Sequence, residues 1–121
     1  MTKRSNLLEA LPSHFDVGWA QFEFKLVKGL VDDEGSKCFG LTDLDDFVIS
    51  LEETMGEKVA HHTIIHECCH ALVDTFGLAG PTINEEDSLT TTNEFVTEAT
   101  ARAFLMFRNL NPLLWKLLFD E

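Results

Sequence analysis

Three things are scarce in this sequence, and each scarcity removes a class of function. Cysteine occurs only as Cys38, Cys68 and Cys69, the last two adjacent. An odd count with a neighbouring pair does not build a disulfide framework, so a reducing, cytoplasmic setting is the better expectation. Basic residues are few: nine Lys and Arg stand against 21 Asp and Glu, for a formal charge of −12. With no basic stripe to neutralise phosphates, no nucleic-acid partner is expected. Long apolar runs are also missing, none approaching the roughly 20 residues of a membrane-spanning helix, so no membrane partner is expected either. The N-terminal stretch MTKRSNLLEALPSHF is a poor signal peptide, because Glu9 and Pro12 break its apolar character.

What is present suits one globular domain over residues 1–121, with 45% hydrophobic and 25% charged residues. WAQFEFKLV (19–27) alternates, with Ala20, Phe22, Phe24 and Leu26 on one face and Gln21, Glu23 and Lys25 on the other. That period of two predicts a half-buried strand. KGLVDDEGSKCFG (28–40) reads as a turn region, and DFVISL (46–51) as a second strand forming an antiparallel hairpin or meander with the first. A helix is expected from near Ser50 or Thr54, each of which has a glutamate three residues later, to about Phe76, where Gly77 closes it. A loop follows over 78–88, its Glu85 and Glu86 solvated. A second helix runs from about Thr91 to Asn109 with Phe95, Ala99, Ala103 or Phe104, and Phe107 as its buried stripe. Asn111-Pro112 stops it, and LLWKLLF (113–119) forms a short apolar helix packing back on the core.

The chemistry concentrates in HTIIHECCHAL (62–72). His66 and His70 are four residues apart, about 400° around a helix, so their rings stack on one face. A tetrahedral zinc at about 2.0–2.1 Å accepts both. Glu67, beside His66, can reach a water at such a metal without binding the metal itself, which is the mechanical content of the His-Glu-x-x-His pattern. Ile65, Cys68, Cys69, Leu72 and Phe76 fall mainly on another side, for burial. Zinc needs a third protein ligand and one open position. NEFVTEA (93–99) offers Glu94 and Glu98, again four apart: one can bind the metal and the other can orient a ligating imidazole. Thr91-x-x-Glu94 is itself a capping pattern, which keeps Glu98 open as the ligand.

His66-Glu67-Cys68-Cys69-His70 followed by Asn93-Glu94-x-x-x-Glu98 resembles the gluzincin layout of thermolysin-type metallopeptidases. More closely, the chain resembles the very small HExxH proteins encoded by bacteriophages and prophages. The shared features are Gly40-Leu41-Thr42-Asp43 before a strand, the Thr63–Ala71 helix, and a Glu-rich helix ending shortly before Asn111-Pro112. The resemblance spans roughly residues 20–113 and implies an α+β, zincin-like fold: a small antiparallel sheet packed on the HExxH helix and on a second, ligand-bearing helix. It implies Zn²⁺ held by His66, His70 and Glu94, with Glu67 as general base and Glu98 behind a ligand. The implied substrate is a protein or peptide, paired along the sheet's edge strand. A phage-encoded chain would act in the host cytoplasm. One departure stands out: such enzymes often add a tyrosine or histidine for the oxyanion, and this sequence has no tyrosine. His14, His61, His62 and Arg102 are the substitutes on offer.

Other readings compete at particular residues. His61 and His62 fit surface positions, and Cys68 and Cys69 fit small buried hydrophobes better than a thiolate site with Cys38, because adjacent helical side chains diverge by about 100°. The whole chain could instead be a zinc-binding interaction protein without turnover. A DNA mimic that blocks a nucleic-acid enzyme is the reading that the charge of −12 suggests, although the best-organised acids sit beside histidines. Substrate identity and oligomeric state are not legible.

Overall fold

The computed structural model describes residues 5–75 and 89–119, the side chains of 89–97 excepted. Among them the chain is α+β, with a four-stranded sheet and four helices. A short helix α1 (Asn6–Glu9) leads into β1 (His14–Asp16) and β2 (Gln21–Val27). Then come β3 (Gly40–Asp43), β4 (Val48–Glu52), and the helices α2 (Glu57–Thr75), α3 (Leu89–Leu110) and α4 (Pro112–Phe119). No helix of the described residues is long and apolar enough to cross a membrane.

The alternation of residues 20–26 makes β2 as expected: Phe22 is fully buried while Gln21, Glu23 and Lys25 face out. The sheet, however, is mixed rather than antiparallel. Its order is β1-β2-β4-β3, and β2 pairs with β4 in parallel, Phe24 opposite Ile49 and Leu26 opposite Leu51. The expected hairpin between those two segments therefore does not form. Parallel neighbours need a long crossover, and residues 28–47 supply it. Within it lies β3, so Gly40–Asp43, expected to precede a strand, is itself one. β3 makes the tight antiparallel hairpin with β4 instead, Thr42 opposite Ile49 and Gly40 opposite Leu51. Asp43 Oδ1 accepts from the amides of Asp45 and Asp46, both at 2.9 Å, turning the chain in place of a ladder bond. Phe47 completes that turn at φ 58°, a left-handed conformation unusual for a bulky residue. Its ring packs edge-on against Trp19 and Phe22, with centroids 5.3 and 5.5 Å away, which offsets the backbone cost.

Helix α2 starts later than either expected cap. Ser50 lies inside β4, and Thr54 Oγ1 donates to Glu52 Oε2 at 3.0 Å. Glu57 looks outward instead, accepting from the Leu7 amide at 3.1 Å and from the Ser5 hydroxyl, so it anchors the start of α1. The buried stripe of α2 is Ala60, Thr63, Ile64, Glu67, Cys68, Ala71 and Leu72. This corrects the expected apolar side: Cys69 is exposed and Ile65 half-buried. Ala60, Ile64 and Ala71 are fully buried and belong to the hydrophobic core. The expected end at Phe76 and Gly77, and the loop 78–88 with Glu85 and Glu86, lie outside the described residues.

On α3, Ala99 and Phe107 are buried, Ala103 half-buried and Phe104 exposed; the Phe95 side chain is not described. The chain turns at Asn111-Pro112 as expected, and Asn111 does more than stop a helix. Its Nδ2 donates to the Asp16 carbonyl at 2.8 Å and its Oδ1 accepts from the Asp16 amide at 2.7 Å. That reciprocal pair fastens the α3–α4 corner to β1. Leu114 and Leu118 then enter the core beside Phe15, Val17 and Phe22.

Candidate metal centre

Two turns of α2 carry the site. The Nε2 atoms of His66 and His70 are 3.1 Å apart, their rings nearly perpendicular at 80° with centroids 4.7 Å apart. Two nitrogens bound to one tetrahedral zinc lie about 3.3–3.4 Å apart, so the pair already has nearly the bite a metal requires. Both imidazoles are open to solvent, whereas Glu67, between them in sequence, is buried. Ligand atoms of His66, Glu67 and His70 all fall within 4.8 Å of one another.

The strand side of the helix holds Glu67. Gly40 and Thr42, two apart on β3, share the face turned toward α2. Thr42 Oγ1 lies 2.7 Å from Glu67 Oε1 and 3.0 Å from the Glu67 carbonyl oxygen. At Gly40 the backbone comes so close that an added Cβ would sit 2.7 Å from Glu67 Cγ and 2.9 Å from Thr63 Cγ2. A glycine inside a strand often marks such an approach, and that was the available signal. In the sequence, Gly40 and Thr42 stand out only as part of the Gly40-Leu41-Thr42-Asp43 pattern, which assigns neither a role.

The acids of α3 are placed less directly. Glu94 belongs to the helix, but its side chain lies outside the described set. Glu98 is exposed, and its Oε1 accepts from Arg102 Nε one turn on, at 3.0 Å. Among the described residues, the ligand cluster is His66, Glu67 and His70, without Glu98. Ala99, not Glu98, is the buried residue on this turn of α3.

The other histidines separate cleanly. His61 Nε2 meets the Leu118 carbonyl at the end of α4, and His14 Nδ1 lies 2.8 Å from Ser13 Oγ on the far side of the sheet order. Of the four residues considered for the oxyanion, three are thus engaged elsewhere, Arg102 with Glu98 included. His62 remains on the ridge, exposed, its ring centroid 6.1 Å from that of His66.

A thiolate site does not fit. Cys68 is buried, which holds its thiol well above the ordinary range, with Cys69 and Glu67 adding to the shift. Burial raises Cys38 too, aided by Asp32, Glu67 and Glu52, and partial covering of the sulfur raises Cys69. Cys68 is buried and Cys69 exposed, so the two sulfurs do not face one ion, and among the described residues no cysteine belongs to the ligand cluster. The donor set on α2 is therefore imidazole with carboxylate, which suits Zn²⁺. Comparison with protein-family models, with curated proteins and with solved structures found no match to this chain.

Proposed function

We propose that the protein is a zinc-dependent metallopeptidase, cleaving peptide bonds in a protein or peptide substrate. The observation that carries this reading is the 3.1 Å convergence of the His66 and His70 Nε2 atoms beside the buried Glu67 carboxylate. His66 and His70 would hold the ion, with Glu94 as third ligand on the resemblance of Asn93-Glu94 to the gluzincin pattern. Zn²⁺ in such a site supplies Lewis acidity, polarising a carbonyl and making water a nucleophile near neutral pH.

The remaining work falls to the chain. The outer edge of β3 offers main-chain groups to an extended peptide, setting its carbonyl beside the imidazole pair. Glu67 takes one proton from the attacking water as the carbon–oxygen bond forms. It then delivers that proton to the departing amine as the carbon–nitrogen bond breaks. His62, exposed on the same ridge with its ring centroid 6.1 Å from that of His66, is the histidine left to steady the developing oxyanion.

Metal analysis and a peptide library test this. Wild-type protein should carry one equivalent of zinc, and His70→Ala well under half. Glu67→Gln should keep its zinc while cleavage falls by at least about 10²-fold. Zinc retained in both wild type and Glu67→Gln with no cleavage by either would leave a zinc-binding interaction protein. Absence of zinc from wild type would end the metal reading.

A further inference from the structure

Glu67 faces a choice that its position alone does not make. Its carboxylate is within 4.8 Å of both imidazole nitrogens, close enough that a side-chain rotation would turn it from a base beside the metal into a ligand on it. A carboxylate bound directly to zinc is made less basic by the cation and is fixed away from the water whose proton it would take. Something must hold it back, and the described neighbours on β3 are Gly40 and Thr42.

We propose that Thr42 is the positioning residue that fixes this role, tethering the Glu67 carboxylate to the edge strand so that it serves as base and not as ligand. The Thr42 hydroxyl has one proton and two acceptors in reach, Glu67 Oε1 at 2.7 Å and the Glu67 carbonyl oxygen at 3.0 Å. The shorter contact goes to the charged group, which forms the stronger bond. Gly40 lets the strand lie against the carboxylate's own stem, since any Cβ there would press on Glu67 Cγ. Strand and helix thereby hold the acid from two directions.

This inference rests on the proposed metal centre, and its test separates the two. Zn²⁺ affinity is measured by competition with a chromophoric chelator, and the visible spectrum is recorded with Co²⁺ in place of zinc, on the full chain. Thr42→Val keeps the shape and removes the hydroxyl; Thr42→Ala serves if the valine variant does not fold. The freed carboxylate should join the metal, so Zn²⁺ binds about tenfold tighter, the order of one charge-assisted hydrogen bond, and the Co²⁺ spectrum changes. Thr42→Ser should restore wild-type values, and in a Glu67→Gln background Thr42→Val should change neither readout. Unchanged or weaker affinity in Thr42→Val, or a gain that persists without Glu67, overturns the tether while leaving the metal centre standing. Failure of the wild type to bind either metal overturns the centre and the tether together.

Discussion

The two flanks of α2 are built to different standards. Toward the sheet, β3 lies so close that Gly40 has no room for a Cβ, and Glu67 is buried with its carboxylate bonded to Thr42. Toward α3, the helix presents Ile65, Cys69, Leu72 and Val73 to a partly open apolar pocket of about 110 Å³, shared with Ala99, Ala103 and Phe107 of α3 and with Trp115 and Phe119 of α4. The base of the proposed reaction thus stands on the tight flank, and the acid assigned as third ligand belongs to the helix across the loose one. A general base acts over a hydrogen-bond length and profits from rigid placement. A ligand gains its placement from the ion it binds, because metal binding and folding share one free energy. The difference between the flanks is what a site would show if the strand fixed the proton chemistry and the metal were left to draw in the second helix.

The largest expected effect comes from breaking the tight flank. Gly40→Ala places a methyl group 2.7 Å from Glu67 Cγ and 2.9 Å from Thr63 Cγ2, and neither is the free end of a mobile chain. Forcing β3 and α2 apart should cost about 1–3 kcal/mol, read as a lower midpoint in urea with an unchanged slope. A Gly40→Ala variant as stable as wild type would mean that the strand and helix are not in this close register.

Farther along the same flank, Glu52 at the end of β4 is buried and accepts from the Leu30 amide at 2.8 Å. That bond, joined by the side chain and backbone of Thr54, holds the Glu52 carboxyl below the ordinary range against the opposing cost of burial. A depressed carboxyl contributes stability above its unfolded value of about 4.3, and loses it as pH falls through the lower folded value. Glu52→Gln should therefore cost about 1 kcal/mol at pH 7, with the gap to wild type closing below about pH 4. Equal slopes of stability against pH for the two proteins would show that Glu52 is not the group responsible.

How much of this was legible follows from which interactions are local. The β2 alternation, the Asn111-Pro112 stop and the spacing of His66 and His70 are each set within a few residues, and each reads directly from the chain. The β2–β4 pairing is different, because two strands separated by residues 28–47 can pair either way until β3 occupies the far edge of β4. Glu57 misled for a related reason: three residues after Thr54 it looks like that residue's capping partner, yet it bonds Ser5 and Leu7, some 50 positions away. Cys69 beside Cys68 follows the same rule. Their composition is identical, and only the placement of sheet and α3 around the helix buries one and exposes the other. Thr42 carries no local signal at all, since its partner is on another element.

The loose flank yields the smallest effect, and one of opposite sign. Ala103 is half-buried and lines the pocket, so Ala103→Leu extends a side chain into apolar space rather than into a neighbour. Each methylene buried there is worth about 0.8 kcal/mol, and leucine is nearly as good a helix former as alanine. Rotamer loss and imperfect fit take back part, leaving a net gain of about 0.5–1 kcal/mol, visible as a rise in the thermal midpoint. Zinc binding should decide how far the pocket is free to close. If the ion draws α3 toward α2, the leucine that stabilises the metal-free protein should gain less, or lose outright, once zinc is bound. Equal stabilisation with and without zinc would mean that the pocket does not respond to the metal and that both flanks of α2 are equally fixed.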